Sequence, residues 1–264
     1  MALKRSFFSF LFLSLHGLGR WANVCIALWQ LDLNNIRVDQ IDKLFDGISN
    51  QYDRFNHITS MGIDRSWRRQ AVGSLPVCHD LLDVAVGTGD LTIEALRQQK
   101  VSRVVGIDIS DGMMRVAKAK MERLGLQDKV TLLHADCAQL PFADGSFDAI
   151  TCGYGVRNFA QLDQSLAEMY RVLRPGGQLR ILEFTYPTNP IIRFFYDFYL
   201  TKVMPIIGKK LTQQGDSFVY FMNSIKRFDK GKAFLSHLDK VGFADTRFKK
   251  QTFGISSLYI ACKR

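Results

Sequence analysis

From Asp83 the chain reads Asp83-Val84-Ala85-Val86-Gly87-Thr88-Gly89-Asp90. Two glycines entered from an apolar strand and followed by a helical pattern let the backbone close on a ligand. They also aim the first N–H groups of the helix at it. A dinucleotide site needs the spacing G-x-G-x-x-G, and here the third glycine position is Thr92. The next apolar segment ends Gly106-Ile107-Asp108, with its carboxylate 19 residues beyond Gly89. A carboxylate there accepts both ribose hydroxyls of an adenosine, or it caps the helix beginning at the Ser110–Gly112 turn. With no pyrophosphate to cradle, the ligand reduces to an adenosine with a short polar tail, and S-adenosylmethionine meets that description. Asp136 and Cys137 follow the third strand. Asp136 there takes an adenine amino proton or simply closes a turn, while backbone N–H groups read the ring nitrogens.

These residues need a scaffold, and the hydrophobic rhythm supplies one. Short apolar strands are expected at Leu81–Val86, Arg103–Asp108, Val130–His134, Phe147–Gly153 and Gln178–Phe184. Amphipathic helices lie between them at Leu91–Gln99, Gly112–Leu124 and Leu162–Leu173. Strand–helix alternation means a doubly wound α/β fold with a mostly parallel sheet covered on both faces. After a helix near Lys232–Lys240, Gly242–Lys249 and Ser257–Cys262 read as an antiparallel hairpin at the sheet edge. Arg174-Pro175-Gly176-Gly177 is a structural turn into the fifth strand. Upstream, Val38, Ile41, Leu44, Phe45 and Ile48 stand at helical spacing.

The chain has 264 residues, 47% hydrophobic and 23% charged, which excludes collagen-like and disordered classes. Its five Cys form no C-x-x-C pair, which fits a reducing compartment with neither a disulfide framework nor a zinc site. Net charge is +10, and residues 201–264 hold 13 Lys plus Arg against 4 Asp, so most of the excess is C-terminal. Such a surface attracts phosphates of nucleic acid or of anionic lipid, or is simply a solvated face. Residues 1–37 form an apolar extension. Phe7–Leu15 follows Lys4-Arg5 as in a signal peptide, but no A-x-A-like cleavage site follows. The second apolar run, Trp21–Leu31, is cut off by His16, Gly17, Gly19 and Arg20, so no span of about 20 apolar residues is continuous.

Several of these segments resemble one family closely. Asp83-x-Ala-x-Gly-Thr-Gly-Asp-Leu91, Gly155-Val-Arg157-Asn158, Met169-Tyr-Arg-Val-Leu-Arg-Pro-Gly-Gly177 and Leu182-Glu183-Phe184 are similar to the ubiquinone/menaquinone biosynthesis C-methyltransferases. So are Phe45-Asp46-x-Ile48, Tyr52-Asp53-x-x-Asn56 and Gly62-Ile63-Asp64-Arg65-x-Trp67-Arg68. Phe195-Tyr196, Tyr199, Pro205–Gly208 and Asn223-Ser224-Ile225 resemble that family's lid. The resemblance covers residues 38–264, with a helical cap at 38–73 and a lid at 190–228. It implies a class I, Rossmann-like methyltransferase that binds S-adenosylmethionine through Asp83, Gly87, Thr88, Gly89, Asp108, Asp136 and Cys137, and that uses no metal. There are departures. Val86 replaces the usual extra glycine, Gly153 a serine, Cys137 an alanine, and residues 209–217 match poorly.

The resemblance implies C-methylation of a polyprenylated quinol ring. Asn56 is followed by His57, which favours demethylmenaquinol; the benzoquinol precursor of ubiquinone is the alternative. The ring carbon is a weak nucleophile until the neighbouring phenol ionises, so the site needs positive charge and a route for a proton. Arg157 stays protonated and is assigned to holding a phenolate or a relaying water; otherwise it pairs with an N-terminal carboxylate. Tyr52 and Asn56 are expected to close the ring pocket, and His57 either takes the proton or packs. The greasy stretch Ile191–Leu200 is expected as a lid helix lining a groove for the prenyl tail, or as a buried core helix. Expected surroundings are the cytoplasm and the inner face of the membrane, with anionic lipid as a partner. Oligomeric state is open, a homodimer included.

Two rivals share the fold. An adenine amino-methylating enzyme needs an Asn/Asp-Pro-Pro-aromatic turn after the fourth strand, where this chain has Cys152-Gly-Tyr-Gly. A cytosine enzyme presents Pro-Cys, but Cys152 follows Thr151, so no nucleic-acid partner is expected. A cofactor-binding protein without catalysis is the second rival; loss of the acidic ribose anchor would favour it, and Asp108 is present.

Overall fold

The computed structural model describes Asp46, Ser49, Asp53, 56–58, 60–206 and 215–264, the last from 215 to 219 by backbone alone. The strands are β1 (Cys78–Val84), β2 (Val101–Asp108), β3 (Val130–His134), β4 (Phe147–Gly153), β5 (Leu173–Phe184), β6 (Ala244–Gln251) and β7 (Ser256–Cys262). The helices are α1 (Ile63–Gly73), α2 (Asp90–Arg97), α3 (Asp111–Arg123), α4 (Leu162–Val172), α5 (Pro190–Phe198), α6 (Gly215–Arg227) and α7 (Lys232–Val241). They build one seven-stranded sheet in the order β3-β2-β1-β4-β5-β7-β6. β1 to β5 run parallel, β7 is antiparallel to β5, and β6 is antiparallel to β7. The order reverses between β1 and β4. At such a point the carboxyl ends of the strands open a crevice for ligand.

Both faces of the sheet are covered, as the alternation requires. Leu82, Val84, Ile150 and Ile181 pack with Leu166 and Met169 of α4 and Phe234 and Leu238 of α7. On the other face, Leu81 and Ala149 pack with Val72 of α1 and Leu91 and Ala95 of α2. Phe234 is fully buried, and truncating it to Ala would cost about 3–5 kcal/mol.

β3 and β4 have the expected spans; β2, β6 and β7 are offset by one or two residues, and β1 and β5 differ for physical reasons. β1 stops at Val84 because Ala85 enters the left-handed region (φ 54°) to start the glycine loop. β5 starts at Leu173 because the 174–177 segment is absorbed as a register shift between the pairs Phe147–Leu173 and Ala149–Gln178, with Gly176 at φ 79°. Of the expected upstream helix, Val38, Ile41, Leu44, Phe45 and Ile48 lie outside the described residues. Tyr52, residues 1–37 and most of the 209–217 lid segment lie outside them as well. Among the described residues no helix is long and apolar enough to cross a membrane.

Candidate cofactor and methyl-transfer site

The glycine loop sits at the carboxyl edge between β1 and α2. Gly87 and Gly89 both have positive φ (55° and 82°), which glycine adopts without strain. A Cβ on Gly89 would also stand 2.5 Å from Met121 Cε of α3, so the position is closed to a side chain twice over. The N-cap of α2 is Gly89, which has no side chain to cap the helix, so the positive dipole end starts directly at the loop.

Asp108, at the end of β2, holds this loop in shape. The Gly87 N–H donates to its Oδ2 at 2.8 Å and the Ser110 N–H to its Oδ1 at 2.9 Å. With the Ile109 N–H also turned toward it, the carboxylate is held by backbone donors and still has lone-pair capacity for a further one. Ser110 is the cap of α3, its Oγ accepting from the Met113 N–H at 3.1 Å. The capping role open in the sequence therefore falls to Ser110. Burial pushes the Asp108 carboxyl above its ordinary value, against the backbone donors that pull it down.

Asp83 lies behind the loop and not at the edge. Its oxygens accept from Thr92 Oγ1 at 2.6 Å and Thr151 Oγ1 at 2.8 Å, joining β1 to α2 and β4. Burial pushes this carboxyl up to about 6, although both hydroxyls oppose the shift. Asp136 closes a turn, its Oδ1 accepting from the Ala138 N–H at 2.9 Å. The Cys137 thiol turns away to donate to Ser165 Oγ at 3.3 Å, and burial pushes it up to about 12. Only the backbone of Cys137 is left to face the edge. At Gly153 a Cβ would lie 3.2 Å from Leu91 Cδ2, so Leu91 takes the room a serine would need.

A line of alternating charges links the upstream segment to the loop, built from residues far apart along the chain. His57 Nδ1 is 2.8 Å from Asp64 Oδ2, and Asp64 also accepts from Ser60 Oγ (2.6 Å) and Arg68 (2.5 Å). Arg68 reaches Asp90 at 3.0 Å, and Asp90 accepts from Lys120. Lys120 then donates to Asp53 at 2.8 Å, and Asp53 accepts from Thr88 Oγ1 at 2.5 Å. Although burial raises Asp64, its hydroxyl and cationic partners hold the carboxyl below its ordinary value. His57 is thus committed to Asp64 and does not stand as an isolated proton acceptor. Asn56 is half-buried one residue before it. Asp46 makes a second link, accepting from Ser110 Oγ at 2.6 Å and the Gly112 N–H at 2.7 Å.

Arg157 lies in a single turn of 3₁₀ helix just beyond β4. It pairs with Glu183 of β5 at 2.7 Å. It also donates to the Tyr154 carbonyl and to Ser224 Oγ (3.2 Å), and its guanidinium lies 5.3 Å from the Phe221 ring centroid. Glu183 further accepts from the N–H groups of Arg157 (3.1 Å) and Phe184 (2.7 Å). Next to it, Asn158 Oδ1 accepts from Tyr220 Oη at 3.0 Å, tying this turn to α6. Glu183, Asp53, Asp90, Arg68 and Lys120 are the site residues that sequence reasoning missed. Asp64–Arg68 is an i,i+4 pair within α1, but the other side-chain partners are 22 to 67 residues away in other elements, where spacing carries no signal.

Comparison with known proteins fits this arrangement. Residues 32–263 match the model of the ubiE/COQ5 methyltransferase family. A demethylmenaquinone methyltransferase of Bacteroides fragilis is 42% identical over 85% of this chain and 93% of its own. The ubiquinone/menaquinone biosynthesis C-methyltransferase UbiE of Geobacter sulfurreducens is 38% identical over 84% of this chain and 87% of its own. Among solved structures, an S-adenosylmethionine-dependent methyltransferase from Thermotoga maritima shares the fold. It has a TM-score of 0.60 at 18% identity, covering 84% of this chain and 99% of that one. A glycine loop, a strand-end carboxylate and a Gly-x-Arg-Asn turn at one sheet edge thus occur in a chain that belongs to the ubiE/COQ5 methyltransferase family.

Proposed function

We propose that this protein methylates a ring carbon of demethylmenaquinol, using S-adenosylmethionine. The observation that carries the reading is Asp108, whose carboxylate is fixed at the strand end by the Gly87 and Ser110 N–H groups with lone-pair capacity left for a ribose hydroxyl. The donor set fits a cationic nucleoside: Asp108 and Asp136 close turns at this edge, Asp90 opens α2, and Asp53 accepts from Thr88 of the glycine loop. When bound, S-adenosylmethionine supplies an electrophilic methyl group.

The chain's own residues do the rest. Gly87, Thr88 and Gly89 admit the cofactor's tail, and the Asp136–Ala138 turn with the Cys137 backbone meets the adenine. Arg157, oriented by Glu183, places a fixed positive charge near the ring and favours the phenolate form, which makes the ring carbon nucleophilic. The quinol hydroxyl loses its proton to water held at Arg157. Asn56 is assigned to closing the pocket over the ring, as is Tyr52, which lies outside the described residues. The quinol's lipophilic tail places the reaction at the inner face of the membrane. Purified protein with labelled S-adenosylmethionine should label demethylmenaquinol, and cells lacking the gene should accumulate that species by mass spectrometry. Accumulation of a demethylated benzoquinol instead would move the assignment to the ubiquinone precursor. No labelling of either quinol would end it.

A further inference from the structure

The apolar stretch beginning at Ile191 is neither a buried core helix nor wholly a groove lining, because α5 is two-faced. Its inner side is Tyr196, which packs with Leu200 and Met204 of the following turn and with Tyr186 and Phe221. Its outer side presents Ile191, Phe194, Phe195 and Phe198, spaced i, i+3, i+4 and i+7 and 57–69% exposed. A contiguous aromatic stripe of this kind on a soluble face marks an interaction surface.

A second element exposes an aromatic beside it. Phe253, in the turn joining β6 to β7, is 77% exposed and is held at φ 57°, with Thr252 also left-handed at 42°. That conformation is unfavourable for a phenylalanine and persists only where the surroundings impose it. Here they do. Thr185 Oγ1 donates to the Gly254 carbonyl at 2.8 Å, and the Thr185 N–H donates to the Ile255 carbonyl at 2.9 Å. The Thr185–Thr188 segment that leads into α5 thus holds both aromatic elements.

Cations gather under this crest. Arg193, Lys226 and Lys230 lie 5.6, 5.6 and 5.2 Å from the Tyr186 ring centroid. Lys250 donates to Thr188 Oγ1 at 3.3 Å, and Lys202 is exposed one turn past Phe198. Among the described residues Asp197 is the one carboxylate in contact with them, 3.7 Å from Lys226 and accepting from Tyr186 Oη. Phenyl groups flanked by excess ammonium and guanidinium groups match acyl chains bounded by anionic headgroups. A second copy would fit poorly, because a two-fold interface would set these cations against their own duplicates.

We infer that α5 and the Phe253 turn together dock this protein onto an anionic phospholipid bilayer. Phe184 at the end of β5 pairs with Ser256 at the start of β7, so the docking surface lies at the carboxyl edge that carries the glycine loop. The surface stands whichever quinol is methylated.

The test floats the full-length protein with vesicles of phosphatidylcholine, with and without phosphatidylglycerol. The parent should float with the anionic vesicles, less so in high salt. Phe194→Ser/Phe195→Ser/Phe198→Ser should lower partition by about tenfold or more at an unchanged melting temperature. Equal flotation of the triple variant overturns the inference. So does a parent that sediments as a dimer beside a monomeric triple variant, with neither floating. Should the triple variant not fold, Phe195→Trp provides the second measurement. It should gain fluorescence that brominated acyl chains quench, and no added quenching over the parent overturns the inference. A parent that floats yet labels no quinol keeps the surface and removes only the proposed reaction.

Discussion

Arg157 and Glu183 form an ion pair at 2.7 Å, with their side chains 3% and 0% exposed. Two charges so far from water are tolerated only because every neighbour contributes. The guanidinium is shared among Glu183, the Tyr154 carbonyl and Ser224, and the carboxylate also takes two backbone N–H groups. The residue assigned to chemistry is therefore also a structural member, and its variants must be read on two axes.

Removing one partner of such a pair leaves a buried uncompensated charge, which costs about 3–5 kcal/mol. Arg157→Ala and Glu183→Gln should each lose stability on that scale in urea denaturation. Arg157→Lys should lose part of it, since an ammonium cannot serve three acceptors in the guanidinium's planar geometry. Among molecules still folded, turnover should fall by about 10²–10³-fold with kcat and kcat/KM falling together. A stable, cofactor-binding Arg157→Ala enzyme with near-normal turnover would end the catalytic role.

Asp108→Ala should weaken S-adenosylmethionine binding by about 1.5–3 kcal/mol, the range for hydrogen bonds to a charged group. It also frees the Gly87 and Ser110 N–H groups, so hydrogen exchange there should quicken. Titration calorimetry reads the first effect. Unchanged affinity removes Asp108 from the site.

The Asp83 carboxyl sits at about 6 in the fold against an ordinary value of 3.8. Between those values the folded chain holds a proton that the unfolded chain has released. Its contribution to stability is therefore full below about pH 4, declines as pH rises, and is gone above about pH 6. The difference is on the order of 3 kcal/mol. Asp64 and Asp80, held below their ordinary values, act in the opposite sense, so the parent alone does not isolate the effect. Asp83→Asn should gain stability relative to the parent as pH rises from 4 to 7. A pH-independent difference between the two refutes the burial argument.

Lys120 sits between Asp53 and Asp90, and Gly112 lies against Asp46. Lys120→Met should weaken cofactor binding by about 1.5–3 kcal/mol through the Thr88–Asp53 contact, and should couple non-additively with Asp53→Asn. Gly112→Ala would place a Cβ 2.6 Å from Asp46 Oδ1 and 2.9 Å from its Cα, which forces the upstream segment to shift. Both variants should raise hydrogen exchange around Asp46 and Asp53 while the sheet stays protected. Purely additive effects with unaltered exchange would show that these links do not anchor the segment.

The fold was readable from local pattern because the period of apolar residues is a local property. Val130–His134 and Phe147–Gly153 could be placed to the residue for that reason. Glycine pairs and the strand-end Asp108 were readable because backbone geometry dictates where they must stand. Asp83 was misplaced since a conspicuous carboxylate beside a glycine loop does not announce whether it faces ligand or, as here, Thr92 and Thr151. The Lys120 and Glu183 links were unreadable because they depend on how separate elements pack. The outward half of α5 was misjudged because hydrophobicity alone does not say which side of a helix meets the protein.

Val86 and Gly106 are neighbours across the first two strands: a Cβ on Gly106 would stand 2.9 Å from Val86 Cγ2 and 3.0 Å from Leu132 Cδ2. Val86 therefore occupies space that Gly106 leaves open. A side chain at 106 would need both Val86 and Leu132 to give way, so this part of the sheet admits bulk at 86 only while 106 stays bare.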